Sequence, residues 1–266
     1  MKKEIKMPES VPQTDLKDVN KIFPEIRQIT ETFYALQKLR IQASNRVSAY
    51  VRMGLEEGKA KGMHSWVDER LHSLEEELGR LLAKKVDSFK IWNEWLVNIK
   101  GMGPTLACSL VAWIGDIGRF SNPSKLRRYC GMAVINGEAE HRIKGEKIHY
   151  SPVLKTTCWK IASQFVRQGD YYRKIYDEAK KKIKEKFPNQ VDTGKKKKDG
   201  SPLIKYTDGH IHAMAMRKTV QVFLTDLWIK WRKLEGLPIM KPYAIDILGH
   251  SGYKDPEEYL KANGNL

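Results

Sequence analysis

Apolar residues recur at threes and fours from Phe23 to Val51, at Ile26, Ile29, Phe33, Leu36, Leu39, Ala43, Val47 and Val51. They do so again from Trp66 to Phe89, through Leu71, Leu74, Leu78, Leu81, Leu82 and Val86. An α-helix with one buried face imposes this period. The glycine-bearing stretch MGLEEGKAKGMHSW separates the two runs. The expectation is therefore a long antiparallel helical hairpin, its second helix capped at Ser65 with Asp68 and Glu69 behind it. Its stripes can cover one another or meet a second copy of the chain, so a coiled-coil-like homodimer is one expectation.

The remainder also reads as helical, which makes the expected fold class all-α. Residues 92–166 form the most apolar part, with short helices between Gly-, Pro- and Asn-bearing turns. VINGEAEHRIKGEKIHY leaves open a small β-hairpin or an irregular loop. The expected organisation is a flexible leader (1–20), the helical hairpin (21–95), a compact domain (96–236) and a C-terminal tail (237–266). A Lys-rich mobile insertion is expected at about 187–208 within the compact domain, where Lys195, Lys196, Lys197 and Lys198 stand in a row.

Charge narrows the partners. With 48 Lys+Arg against 32 Asp+Glu, a formal +16, the chain is attracted to polyanions in a salt-sensitive way. Nucleic acid is favoured over an anionic membrane surface. No segment approaches the roughly 18 apolar residues of a membrane span, and no signal peptide opens the sequence. The three cysteines, Cys108, Cys130 and Cys158, sit in apolar settings, as reduced thiols of a cytoplasmic protein do. His210 and His212, or His141 and His149, are the nearest approach to a ligand set. No Cys-x-x-Cys or His-Glu-x-x-His spacing accompanies them, so neither metal nor cofactor is expected.

One short stretch departs from the helical pattern. In IKGMGPTLA, Gly101 and Gly103 bracket Met102, although each glycine weakens a helix by about 1 kcal/mol relative to alanine. A turn between two short helices can expose backbone amides where Cβ atoms are missing. With Pro104 in the first turn of the second helix, those amides form a phosphate site. Lys100, Gly101, Met102, Gly103 and Thr105 make up this candidate, with Arg119, Lys125, Arg127 and Arg128 as basic neighbours and Lys195–Lys198 as an auxiliary arm. Backbone contacts carry no base information, so binding would be largely independent of sequence.

The glycine pair with its apolar neighbours resembles a helix-hairpin-helix motif. More widely, IKGMGPTLACSLVAWIGDIGRFSNPSKLRRYCGMAV resembles the C-terminal domain of the DEDD-type insertion-sequence transposases, the group that includes pilin-gene inverting recombinases. The matching residues are the glycine pair, Ile114 to Ile117, Arg119-Phe120, Ser121 to Ser124, Leu126, Tyr129 and Gly131. The helical hairpin is similar to the coiled-coil linker of the same proteins. VLKTTCWKIA and GHIHAMAMRKTVQVFLTDLW are similar to their two closing helices.

That resemblance implies a nuclease-like domain with four metal-holding carboxylates, but residues 26–90 read as helices and nothing before Phe23 has room for it. It also implies a serine in a basic loop before the first closing helix. The matching place falls near Lys147, and Ser151, four residues on, is the single catalytic candidate beside its plainer reading as a helix cap. Nor do the lysine and aspartate of helix-hairpin-helix glycosylases have counterparts, whose places fall near Ala107 and Lys125. The expectation leans away from an enzyme. It is a protein that grips duplex or branched DNA, serving replication, maintenance or recombination of a prokaryotic mobile element. A recombinase subunit with residual or partner-completed catalysis and an RNA-binding module are the alternatives.

Overall fold

The computed structural model describes residues 16–135, 137–196 and 200–239. The first fifteen positions of the expected leader, Lys197, Lys198 and the tail from 240 lie outside them. The fold is mainly α, as the periodicity predicts. The chain divides into two compact units. One holds residues up to Asn93 together with Ala107–Gly115, and the other holds Glu94–Leu106 and the chain from Asp116.

The first unit is built on α1 (Leu16–Arg52) and α2 (Glu57–Lys85), packed as an antiparallel pair. Helix α1 thus begins inside the segment expected to be a flexible leader. It ends where Gly54 takes φ +96°, with the Gly54 and Leu55 amides donating to Val51 and Tyr50 carbonyls at 3.0 Å. This closure needs a left-handed residue, which is why a glycine stands there. Helix α2 starts eight residues before Ser65, contrary to the sequence reading. Gly58 and Gly62 face open space, and Glu56–Lys59 and Glu57–Lys61 ion pairs line the first turns. Ser65 is not a cap: its Oγ donates to the Gly62 carbonyl within the helix.

Ile26, Ala43, Ala60, Leu71, Leu82 and Phe89 are buried in this unit, and Phe23 stacks on Phe89. Leu39 and Leu74 of the expected stripes are about half exposed, at 45% and 46%. The helices α3 (Lys90–Glu94) and α4 (Pro104–Ile114) follow. From Ala107 onward α4 contributes Cys108, Leu110, Val111 and Ile114 to the core. Arg27 fastens it, donating through Nε to the Ala112 carbonyl at 2.8 Å while its guanidinium covers Trp113.

The second unit contains α5 (Pro123–Tyr129), α6 (Pro152–Gln168), α7 (Tyr171–Lys186) and α8 (Asp208–Leu234). Helix α8 packs against the other three. Phe223 is its centre, stacked on Trp95 and edge-on to Phe165 and Tyr172. Trp228 and Arg232 donate to the Phe120 carbonyl and so tie the 3-10 turn Ile117–Arg119 to α8. Of the two outcomes open in VINGEAEHRIKGEKIHY, the paired one forms: β1 (Val134–Ile135) runs antiparallel to β2 (Glu138–Ala139). The segment read as a mobile loop contains a second antiparallel ribbon, β3 (Val191–Lys196) with β4 (Pro202–Lys205). Thr193 Oγ1 ties it, donating to the Leu203 carbonyl at 2.7 Å.

Candidate nucleic-acid interface

The glycine pair lies on a tight turn. Before it stands a single 3-10 turn, Leu96–Asn98, rather than the first helix that the sequence suggested. Ile99 and Met102 point inward, and the Met102 amide donates to the Ile99 carbonyl at 3.0 Å. The two glycines serve different ends. Gly101 has φ +93°, and a Cβ there would stand 3.3 Å from backbone and side-chain atoms of Gln164 on α6. Its missing side chain is accounted for by helix packing inside the protein. Gly103 differs: a Cβ there would meet nothing within 4 Å, and no positive φ demands glycine.

Beside Gly103 the side chain of Lys100 is exposed, and Pro104 and Thr105 are half-buried. The amides of Gly103, Thr105 and Leu106 open α4, where the first turn has no intrahelical acceptors. Partial positive charge collects at such an end.

The basic neighbours divide. Asp116 Oδ1 accepts from the Gly118 amide at 2.6 Å and starts the 3-10 turn that carries Arg119. The Arg119 guanidinium lies over Tyr129, 4.4 Å from the ring centre, and also over Phe120. Asn122 caps α5 through the Lys125 amide, with Pro123 in its first turn. Lys125 and Arg128, one turn apart, are exposed. Arg127 is half-buried, donates to Ser124 Oγ at 2.8 Å, and has its pKa drawn down by burial. Lys195 and Lys196 are exposed on β3.

Ser151 caps α6. Its Oγ accepts from the Leu154 amide at 3.3 Å while its own amide donates to the Tyr129 carbonyl at 2.8 Å. The histidines are engaged singly: His212 Nδ1 meets the Tyr176 hydroxyl at 2.6 Å, and His210 Nδ1 accepts from the Tyr206 amide at 3.0 Å. Among the described residues, no three His, Cys, Asp or Glu side chains gather as a metal set. Nor is any described helix long and apolar enough to cross a membrane.

Arg217 and Lys218, on α8, were not singled out in the sequence because the apolar stripe through Met216 and Val220 dominates that segment. They stand with Lys182 and Lys205 around one groove. Two adjacent cations interrupting a core helix were the available signal.

No curated protein matches the chain at a significant level. Residues 93–177 match the family model described as Transposase IS116/IS110/IS902 family. About a third of the chain, from the end of α3 into α7 and including the Gly101–Gly103 turn, is therefore similar to a transposase domain.

Proposed function

We propose that the chain is a DNA-binding protein of transposase ancestry that grips the sugar-phosphate backbone through the tight turn that opens α4, in the manner of a helix-hairpin-helix. The observation that carries this reading is Gly103. Neither packing nor backbone conformation within the protein asks for glycine there, and the turn opens beside an exposed Lys100 at the start of α4. A phosphate oxygen approaching the Gly103 and Thr105 amides would meet donors, a helix dipole and an ammonium group together. Lys125 and Arg128 extend the positive surface, and Lys195 and Lys196 supply the arm. The transposase-like stretch covers the turn, in keeping with work on the DNA of a prokaryotic mobile element.

The cap geometry of Ser151 favours a binding role for this domain over strand cleavage by that serine. A recombinase subunit completed by a partner's carboxylates is the second reading, which rests on the family match alone. Exposed Leu39 and Leu74 support a homodimer through the helical hairpin.

The test is an electrophoretic shift series with duplex, forked and cruciform DNA and structured RNA. Gly103→Val should weaken DNA binding about tenfold, or about 1.4 kcal/mol, while the helical circular dichroism stays intact. Unchanged affinity would reduce the turn to a corner between elements, and tighter binding to RNA would replace DNA as the partner.

A further inference from the structure

A groove of about 600 Å³ opens in the second unit between the β1–β2 hairpin, α7, the end of β4 and α8. Ligand pockets span about 300–1,000 Å³. Ile175, Ala179 and Ile183, at i, i+4 and i+8 of α7, form an apolar wall, and Val134 of β1 and Met214 of α8 are the other apolar contributors. The rest of the lining carries four cations, Lys182, Lys205, Arg217 and Lys218, against two carboxylates, Glu138 and Glu178. Glu138 is engaged by Lys205 at 3.5 Å. Among the described residues, no carboxylate lies within ion-pair distance of Lys182, Arg217 or Lys218.

Arg217 is the least satisfied of these groups. Its Nε is buried without a hydrogen-bond acceptor, and its guanidinium stands over Trp159 at 5.4 Å. A buried donor left in this state costs about 1–3 kcal/mol, and an arginine cannot escape it by losing its proton. Burial, Arg127 and Lys182 together pull the Lys218 pKa down. Lys182 and Lys218 thus repel one another in the groove, where an anion would relieve both.

The neighbouring ring system is held in place. Tyr206 has φ +60°, the one non-glycine with positive φ among the described residues, and is stacked between Phe187 and His210. Strained backbone of this kind persists only where surroundings enforce it, often at ligand sites. Because His210 Nδ1 accepts from the Tyr206 amide, the proton of the neutral ring sits on Nε2.

We infer that this groove binds a nucleoside phosphate, either a free nucleotide or the phosphorylated end of a strand. The phosphate sits on Arg217, Lys218 and Lys182, the base lies on the apolar wall, and Glu178 accepts from an exocyclic amine or a sugar hydroxyl. Inorganic phosphate alone would leave that wall facing water. The inference reaches beyond the proposed grip on duplex DNA and does not depend on it, since no residue is shared with the Gly103 turn.

The test is calorimetric titration of the full chain with dAMP, with inorganic phosphate, and with a short single strand bearing either a 5′-phosphate or a 5′-hydroxyl. Saturable binding of dAMP or of the phosphorylated strand supports the site, and whichever binds identifies the source. Arg217→Gln should weaken that binding about tenfold or more. Lys182→Gln, at an exposed helix position, should weaken it with no effect on folding. Gly103→Val should leave it unchanged. Absence of binding up to about 1 mM, phosphate binding as tight as dAMP, or indifference to both Arg217→Gln and Lys182→Gln would overturn the assignment.

Discussion

At the scale of single residues, two glycines one position apart carry opposite loads. Gly101→Ala places a Cβ at a left-handed backbone and 3.3 Å from Gln164, so a loss of about 1–3 kcal/mol is expected in denaturant unfolding. Gly103→Ala, with open space around it, should change stability by less than about 0.5 kcal/mol. Equal losses from the two would contradict the packing described for the turn. Glu75 offers a pH-dependent counterpart. Hydrogen bonds from Arg40 and Gln37, each 2.8 Å long, hold its carboxyl below its ordinary value against the opposing effect of burial. A folded value below the unfolded one adds stability above the unfolded pKa of about 4.3 and loses it as pH falls through the folded value. Thermal unfolding of Glu75→Gln should therefore show a lower midpoint at pH 7 and less further loss on acidification. Burial also raises Cys108 to about 12 and lifts Cys130 well above the ordinary thiol range. Both should resist iodoacetamide at pH 8 and react once guanidinium unfolds the chain, because the thiolate is the reacting form.

At the scale of elements, caps decide where helices begin and how their ends are used. Ser151→Ala removes the acceptor for the Leu154 amide and should cost about 1 kcal/mol. Ser151→Asp should restore most of that stability. If Ser151 also served as a nucleophile, nicking of supercoiled plasmid with Mg²⁺ would vanish in both variants, including the stability-restored Ser151→Asp. The sequence exposed some of these signals and hid others. Asn122 before Pro123 and Thr207 before Asp208 cap their helices, each accepting from an amide three positions on. Ser65 looked equally suitable, but a cap signal cannot say whether a helix has already begun. The run from Val191 to Lys205 looked like a solvated loop because a two-stranded ribbon has little apolar alternation when most of its side chains are exposed.

At the scale of the whole molecule, the excess positive charge, +16 in all, should govern association with polyanions. Each phosphate neutralised on duplex DNA should contribute about 0.9 to the slope of log affinity against log salt. Lys100→Gln is expected to lower that slope by about one contact's worth, measured by fluorescence anisotropy between low and physiological salt. An unchanged slope would remove Lys100 from the interface. The Lys195 and Lys196 pair, exposed on the ribbon, should act in the same additive way.

Periodicity alone determined the mainly helical class and the pairing of α1 with α2, because a 3.6-residue repeat of apolar side chains leaves a helix few other ways to hide its stripe. The net charge alone carries the expectation of attraction to polyanions, since the long-range field depends on totals more than on placement. Tertiary structure decided the rest. Whether a glycine yields to a ligand or to a neighbouring helix depends on what faces its missing Cβ, and only the approach of Gln164 separated Gly101 from Gly103. Likewise Arg217 and Lys218 belong to a core helix by sequence. They line a groove only because folding brings Lys182 and an apolar wall beside them and leaves a buried N–H without an acceptor.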